Sequence, residues 1–210
     1  MARNLDPKCK QCRRIGEKLF LKGERCSSAK CAIVKRNYPP GIHGQKNKMK
    51  KQSVYGQQLK EKQKAKKIFG ILEKQFNKYF QTAKNMKGNT SDNFLKLLNM
   101  RFDNIVYKSG LVPSRTNARG LITQGHFMVD GKNVNIPSYQ LKSGQEIKIK
   151  DSKKAKKVWQ EFMTKAAKKE RPDWLSFDEK AQTIKIIKQP ETAELLNVFD
   201  PSLIIEFYSK

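Results

Sequence analysis

Pro113-Ser114-Arg115-Thr116-Asn117-Ala118-Arg119, followed by Gln124-Gly125-His126 and Val129-Asp130-Gly131, is the stretch on which the reading of this chain turns. Ser114 can cap a short helix running to about Thr123. Arg115 and Arg119, four apart, then share one helix face, while Ala118, Leu121 and Ile122 can face inward. His126 to Val129 reads as a strand, and Asp130-Gly131 is a strong hairpin-turn signal. Val134 and Ile136 return, and after the turn at Lys142-Ser143-Gly144 the run Glu146 to Lys150 alternates like a half-buried strand. A short helix with two arginines beside a β-turn suits a bent or irregular RNA backbone. It is too short to read the major groove of DNA. The plainer alternative is a small α/β core whose arginines are merely solvated.

Working outward, Phe94, Leu95, Leu98, Phe102, Ile105 and Val106 form an apolar stripe that begins after Ser91, read as a helix cap. Before it, a helical pattern runs from Leu59 through Ile68, Leu72, Phe76, Tyr79 and Ala83, with lysines on the other face, and Lys87-Gly88-Asn89-Thr90 ends it. Phe76, Tyr79 and Phe80 read as core rather than as a stacking platform for bases. Downstream, Val158, Trp159, Phe162, Met163 and Ala166 predict a basic helix stopped near Pro172. Thr183 to Ile187 and Leu203 to Phe207 lean towards strand, and Trp159 and Trp174 are core candidates.

Charge names the class of partner. The chain of 210 residues carries a formal net charge of +26. Residues 1–150 hold 33 basic and 9 acidic residues, a net of +24, whereas residues 151–210 are nearly balanced. A surface carrying that charge repels itself unless a polyanion neutralises it, and nucleic acid is the commonest one. An anionic membrane is the rival, but no apolar run approaches the ~20 residues of a membrane span. The first residues lack a signal-peptide pattern, so a cytosolic location with reduced cysteines is expected. Lys60, Lys62, Lys64, Lys66 and Lys67, offset only by Glu61, read as phosphate contacts on one helix.

All four cysteines lie in one window, Cys9-x2-Cys12-x13-Cys26-x4-Cys31. Two close pairs can bring four thiolates around one metal, in the spacing range of structural Zn²⁺ sites. Four thiolates also suit an iron–sulfur cluster. Four ligands would close the site, so a structural metal is expected, one that orders residues 1–45. Lys8, Lys10, Arg13, Arg14, Arg25 and Lys30 can offset the negative charge of such a centre.

Taken together, Arg101-Phe102-Asp103-Asn104, the 113–119 run, Gln124-Gly125-His126 and Val129-Asp130-Gly131 resemble the RNA-binding module of the small-subunit ribosomal protein four family. Pro39-Pro40-Gly41-Ile42-His43-Gly44 resembles that family's Pro-Gly-x-His-Gly loop, and Tyr55 to Ile71 its long basic helix. Lys87 to Thr90 and Ile205 to Lys210 also match, so the resemblance spans the chain, in its four-cysteine bacterial form. Ile42, Gly120 and Asp130 depart from the family pattern.

The resemblance implies an α+β protein. A four-cysteine metal-binding segment at 1–45 precedes a helical body of 46–97 plus about 160–210, into which an S-four (alpha-L) type module, 98–159, is inserted. It implies RNA contacts at Arg101, Asn104, Ser114, Arg115, Arg119, His126, Gly131 and His43. Lys46, Lys48, Lys50 and Lys51 would lie near the mRNA entry path. The implied partners are a junction in the five-prime domain of 16S-type rRNA and small-subunit ribosomal proteins five and three. The implied role is to nucleate assembly of the subunit body and to influence decoding accuracy, with no small-molecule substrate. An RNA-modifying enzyme is the rival class, because pseudouridine synthases carry the same module. Here no residues remain for a catalytic domain, and no Walker loop, HExxH or Gly-rich dinucleotide turn occurs.

Overall fold

Gly70 and Arg101 interrupt two stripes that the sequence pattern would run straight through. In the computed structural model, which describes residues 4–46, 52–166, 170–178, 181–190 and 199–209, the helices are α1 (Lys8–Ile15), α2 (Glu24–Ser27), α3 (Ala32–Lys35), α4 (Val54–Phe69), α5 (Glu73–Asn85), α6 (Thr90–Asn99), α7 (Phe102–Lys108), α8 (Arg115–Thr123), α9 (Asp151–Lys154), α10 (Lys157–Ala166) and α11 (Pro201–Tyr208). The strands are β1 (Phe127–Val129), β2 (Lys132–Asn133), β3 (Glu146–Ile149), β4 (Leu175–Asp178) and β5 (Thr183–Ile186).

The expected helix from Leu59 to Ala83 is therefore two. Gly70, at φ 63°, closes α4 in the left-handed conformation that favours glycine. The cap of α6 is Asn89 rather than Ser91, because the Asn89 side-chain oxygen accepts the Ser91 N–H at 2.9 Å. Arg101 is extended and bridges to Gln140, which separates α7 from α6.

Two compact units divide the chain, Met1–Phe94 with Leu196–Lys210 and Leu95–Leu195. In the first unit α11 packs along α4. The strand expected at Leu203–Phe207 is this helix. Asp200 accepts the Ser202 N–H at 2.8 Å and Pro201 sits at the first turn, a pairing that starts helices. Phe76 meets Phe94 edge-on at 5.2 Å and Phe80 stacks on Tyr208 at 4.9 Å, so the α5 aromatics are core.

The second unit holds one antiparallel sheet in the order β2-β1-β3-β5-β4. Ile147 of β3 faces Ile184 of β5, and Ile184 faces Phe177 of β4. The expected boundary near 159 is thus displaced. Strands β4 and β5 continue the module's own sheet and core, with Trp159 and Trp174 each 1% exposed in the same cluster as Phe127 and Ile184. Only the last segment returns to the helical unit. Burying side chains of this size is worth roughly 1.5–3 kcal/mol each, which explains why the β4–β5 hairpin stays with the module.

Candidate nucleic-acid interface

Helix α8 begins as its sequence requires. The Ser114 hydroxyl accepts the Asn117 N–H at 3.2 Å, satisfying one of the open donors of the first turn. Its arginines do not simply project into water. Arg101, 1% exposed, grips Asp103 through two hydrogen bonds of 3.1 and 2.8 Å, and Arg119 Nε lies 3.7 Å from the same carboxylate. Asn104 is fully buried. It donates to the Asn99 backbone and side-chain oxygens at 3.0 and 3.1 Å and accepts from Arg115 Nε at 2.8 Å. The Arg115 guanidinium lies 4.4 Å over the Tyr107 ring. Burial pulls its pKa down, opposed by Tyr107 and Asp103.

His126 is a core residue. Its Nδ1 accepts the indole N–H of Trp159 at 3.1 Å, which requires the neutral ring. Burial, then the charges of Lys156 and Lys153, lower its pKa.

Of the residues expected to touch RNA in this module, Arg101, Asn104, Ser114, Arg119 and His126 are therefore interior groups. They fix the helix and its arginines through contacts within the module. Arg115 stays half-buried. Gly131 is exposed at φ 78° beside Asp130 at φ 46°, the paired positive angles of a tight hairpin turn. The Asp130 carboxylate is engaged within the module. It accepts from Gln145 Nε2 at 2.7 Å and the Glu146 N–H at 2.9 Å, tying the turn to β3.

Exposed near this helix are Thr116, Asn117 and Thr123 of α8, Gln124 just after it, and Lys132 and Asn133 of β2, none of which was among the residues expected to touch RNA. A Cβ added at Gly120 meets nothing within 4 Å, so packing does not demand that glycine. The missed signal was the first turn after the Ser114 cap, where polar residues fall on the outer face.

The basic helix α4 is likewise less free than its charge implies. Lys62 is 6% exposed, ion-paired with Glu73 at 2.8 Å, and 4.3 Å from the Phe207 ring. Lys66 holds the other Glu73 oxygen at 2.7 Å, and Lys64 pairs with Glu17 at 2.7 Å. Burial alone would raise the Glu73 pKa. Hydrogen bonds from Lys62, Lys66 and Tyr208 instead hold it at about 2. Of the lysines expected to form a phosphate-binding stripe, Lys62, Lys64 and Lys66 are thus ion-paired within the protein. Lys60 and Lys67 are half-buried and form no ion pair with a described residue. Burial, Arg14 and Lys66 lower the Lys67 pKa.

His43 and Lys46 are exposed on a loop whose shape is set by Gly44. A Cβ there would overlap the Pro39 carbonyl oxygen. Arg13 secures the same loop by donating to the Tyr38 and Pro39 carbonyls at 2.9 and 3.2 Å. Lys48, Lys50 and Lys51 lie outside the described residues.

Cys9, Cys12, Cys26 and Cys31 are free thiols that line one cavity of about 20 Å³ between α1, α2 and α3. The Lys22 N–H donates to Cys26 Sγ at 3.3 Å. Burial raises the Cys12 pKa, a backbone hydrogen bond at Leu19 opposes it, and the other three cysteines raise it further. Four sulfurs with no disulfide among them are a donor set that a tetrahedral metal fits. Among the described residues, however, no group of three or more His, Cys, Asp or Glu is drawn into metal-holding geometry. No described helix is long and apolar enough to cross a membrane.

Comparison with known proteins follows this architecture. Residues 3–99 match the Ribosomal protein S4/S9 N-terminal domain family, and residues 100–147 match the S4 domain family. The chain is 46% identical to the small ribosomal subunit protein uS4 of Halothermothrix orenii over 210 residues, all of both chains. It is 47% identical to uS4 of Acetivibrio thermocellus and 45% identical to uS4 of Nitrosospira multiformis, again over the whole of each. With two domain families in uninterrupted succession and relatives aligned from end to end, the chain belongs to the uS4 family of small ribosomal subunit proteins.

Proposed function

We propose that this chain is a structural, non-catalytic protein of the small ribosomal subunit that binds its rRNA. The observation that carries the reading is the end-to-end similarity to uS4 proteins in a chain with a net +24 in residues 1–150. Unit 2 supplies a preformed module in which Arg115 and Arg119 are held by Asn104 and Asp103 before any RNA arrives. Pre-ordering lowers the entropy cost of binding.

Beyond that core, the proposed target is a junction in the five-prime domain of 16S-type rRNA, where binding nucleates the subunit body. Ribosomal proteins five and three are the proposed neighbours, with an effect on decoding accuracy. Lys46, Lys48, Lys50 and Lys51 are proposed to lie by the mRNA entry path, and the protein to reside in the cytoplasm. The four cysteines are proposed to hold Zn²⁺, with an iron–sulfur cluster as the alternative. The metal would supply the positive charge that lets four neighbouring thiolates coexist in one cavity.

Filter binding of the full chain to small-subunit rRNA across a salt series tests the reading. Affinity should fall steeply and linearly on log–log axes, as phosphate neutralisation requires. A flat salt response, or no binding, would overturn it. Elemental analysis should find one zinc or iron site per chain, and chelation should loosen residues 4–46 in NMR spectra. A metal-free chain with an intact N-terminal segment would remove the metal.

A further inference from the structure

A buried run of side-chain amides ends at Arg115. Asn99 is the last residue of α6, and its Nδ2 donates to the Leu95 carbonyl at 2.9 Å. Asn104 of α7 donates from Nδ2 to the Asn99 carbonyl at 3.0 Å and to Asn99 Oδ1 at 3.1 Å. Asn104 Oδ1 then accepts from Arg115 Nε of α8 at 2.8 Å. One chain of hydrogen bonds thus joins three helices.

The chain has a direction. A side-chain amide donates from one end and accepts at the other. Because Asn99 commits its nitrogen to Leu95, its Oδ1 is the end turned to Asn104. Because Asn104 commits its nitrogen to Asn99, its Oδ1 is the end turned to Arg115. Reversing either amide would set donor against donor in the interior, where an unmade hydrogen bond costs most. Asn99 is 4% exposed and Asn104 is fully buried, so a polymer ligand reaches neither side chain.

Tyr107 supplies the second constraint. The Arg115 guanidinium carbon stands 4.4 Å from the centroid of its ring, where the ring's negative face attracts a cation. Asn104 holds the stem end of the guanidinium and Tyr107 holds its face. Arg115 is half-buried, so few other placements are left to it.

We propose that Asn99 and Tyr107 are positioning residues for rRNA binding: acting through Arg115, and touching no RNA themselves, they hold its guanidinium where it meets a backbone phosphate. The proposal rests on the rRNA-binding reading above and names the groups that prepare one contact within it. Arginine suits this arrangement, because its planar fork pairs with two phosphate oxygens only in the right orientation. Ordering the side chain beforehand removes that entropy cost from the binding step.

The test measures rRNA filter binding of the full chain over a salt series, for single variants and for the same changes in an Arg115→Gln background. Arg115→Gln should lose about 0.7–0.9 from the log–log slope, the value of one phosphate contact. Asn99→Ala and Tyr107→Leu leave the net charge unchanged. Each should nevertheless weaken binding about threefold to tenfold and make the slope shallower, towards that of Arg115→Gln. In the Arg115→Gln background each should change affinity by less than about twofold, because the group they position is gone. Tyr107→Phe, which keeps the ring face, should bind like the wild type. Loss of folded protein alone lowers the amount bound and not the slope, and tryptophan fluorescence reports the folded fraction of the Leu95–Leu195 unit. If Asn99→Ala does not fold, the two Tyr107 variants decide. An unchanged slope, an equal loss in both backgrounds, or a Tyr107→Phe defect as large as that of Tyr107→Leu would overturn the proposal. Each of these outcomes leaves wild-type rRNA binding intact, whereas failure of the wild type to bind would overturn the functional reading itself.

Discussion

Asp103→Ala separates scaffold from contact in the S4-type module. The carboxylate it removes is held by Arg101 at 2.8 and 3.1 Å and approached by Arg119 at 3.7 Å. Arg101 and Asp103 are each 1% exposed and Arg119 is 8% exposed, so almost no water can replace the lost partner. A buried ion pair broken on one side typically costs about 3–5 kcal/mol, against about 0–1 kcal/mol for an exposed pair. Both tryptophans of the chain, Trp159 and Trp174, lie in the Leu95–Leu195 unit, so intrinsic fluorescence reports its unfolding. With a urea dependence of about 2 kcal/mol per molar, the fluorescence midpoint should fall by about 1.5–2.5 M. Replacing both partners by apolar residues, Arg101→Met with Asp103→Leu, should recover most of that loss. A midpoint shift worth less than about 1 kcal/mol for Asp103→Ala would refute the buried network. It would leave Arg101 available for the RNA contact that the family resemblance implies.

Three other perturbations follow from the same geometry. Gly44→Ala should destabilise the Met1–Phe94 unit by about 1–3 kcal/mol in far-UV circular dichroism melts, because its Cβ would overlap the Pro39 carbonyl; an unchanged melt would show that the loop yields freely. His126→Phe leaves the buried Trp159 indole N–H without an acceptor and should cost about 1–3 kcal/mol by the fluorescence assay. Since burial lowers the His126 pKa, its ring contributes stability that is complete above about pH 6.5 and declines as the pH falls from there towards the folded value, a limb the variant should lack. Glu73, held at about 2 against an ordinary 4.5, contributes stability present above pH 4.5 and lost as the pH falls towards 2. Its side chain is partly in water, so Glu73→Gln should flatten that acid limb by only about 1 kcal/mol.

Local signals in the sequence led directly to local structure. Ser114 caps α8, Asp130-Gly131 makes the turn and Glu146 to Ile149 forms a strand, because each depends on residues within a few positions of itself. Non-local pairing was the harder part. Nothing in Leu175–Asp178 announces that its partner's partner is β3, so the sheet was cut short and the boundary drawn too early. In α11 the apolar run Leu203 to Phe207 suggested a strand, although Asp200-Pro201 carried the contrary cap signal.

The site was legible in its parts and not in its orientation. The family resemblance gathers Arg101, Asn104 and Arg119 into one module, but a motif does not say whether a polar group faces water or a buried partner. Asp103 decided that, and its role depends on geometry two residues away from Arg101. Lys62 shows the same limit: a lysine on a basic helix turned inward because Glu73, Phe207 and Tyr208 surround it.

Sedimentation of ribosomal subunits from cells that make this chain tests the ribosomal assignment most directly. After a high-salt wash, the chain should remain in the small-subunit fraction at one copy per subunit, because many phosphate contacts spread over a preformed surface release slowly and together. Its release to the top of the gradient, with small subunits intact, would contradict a structural role in the particle.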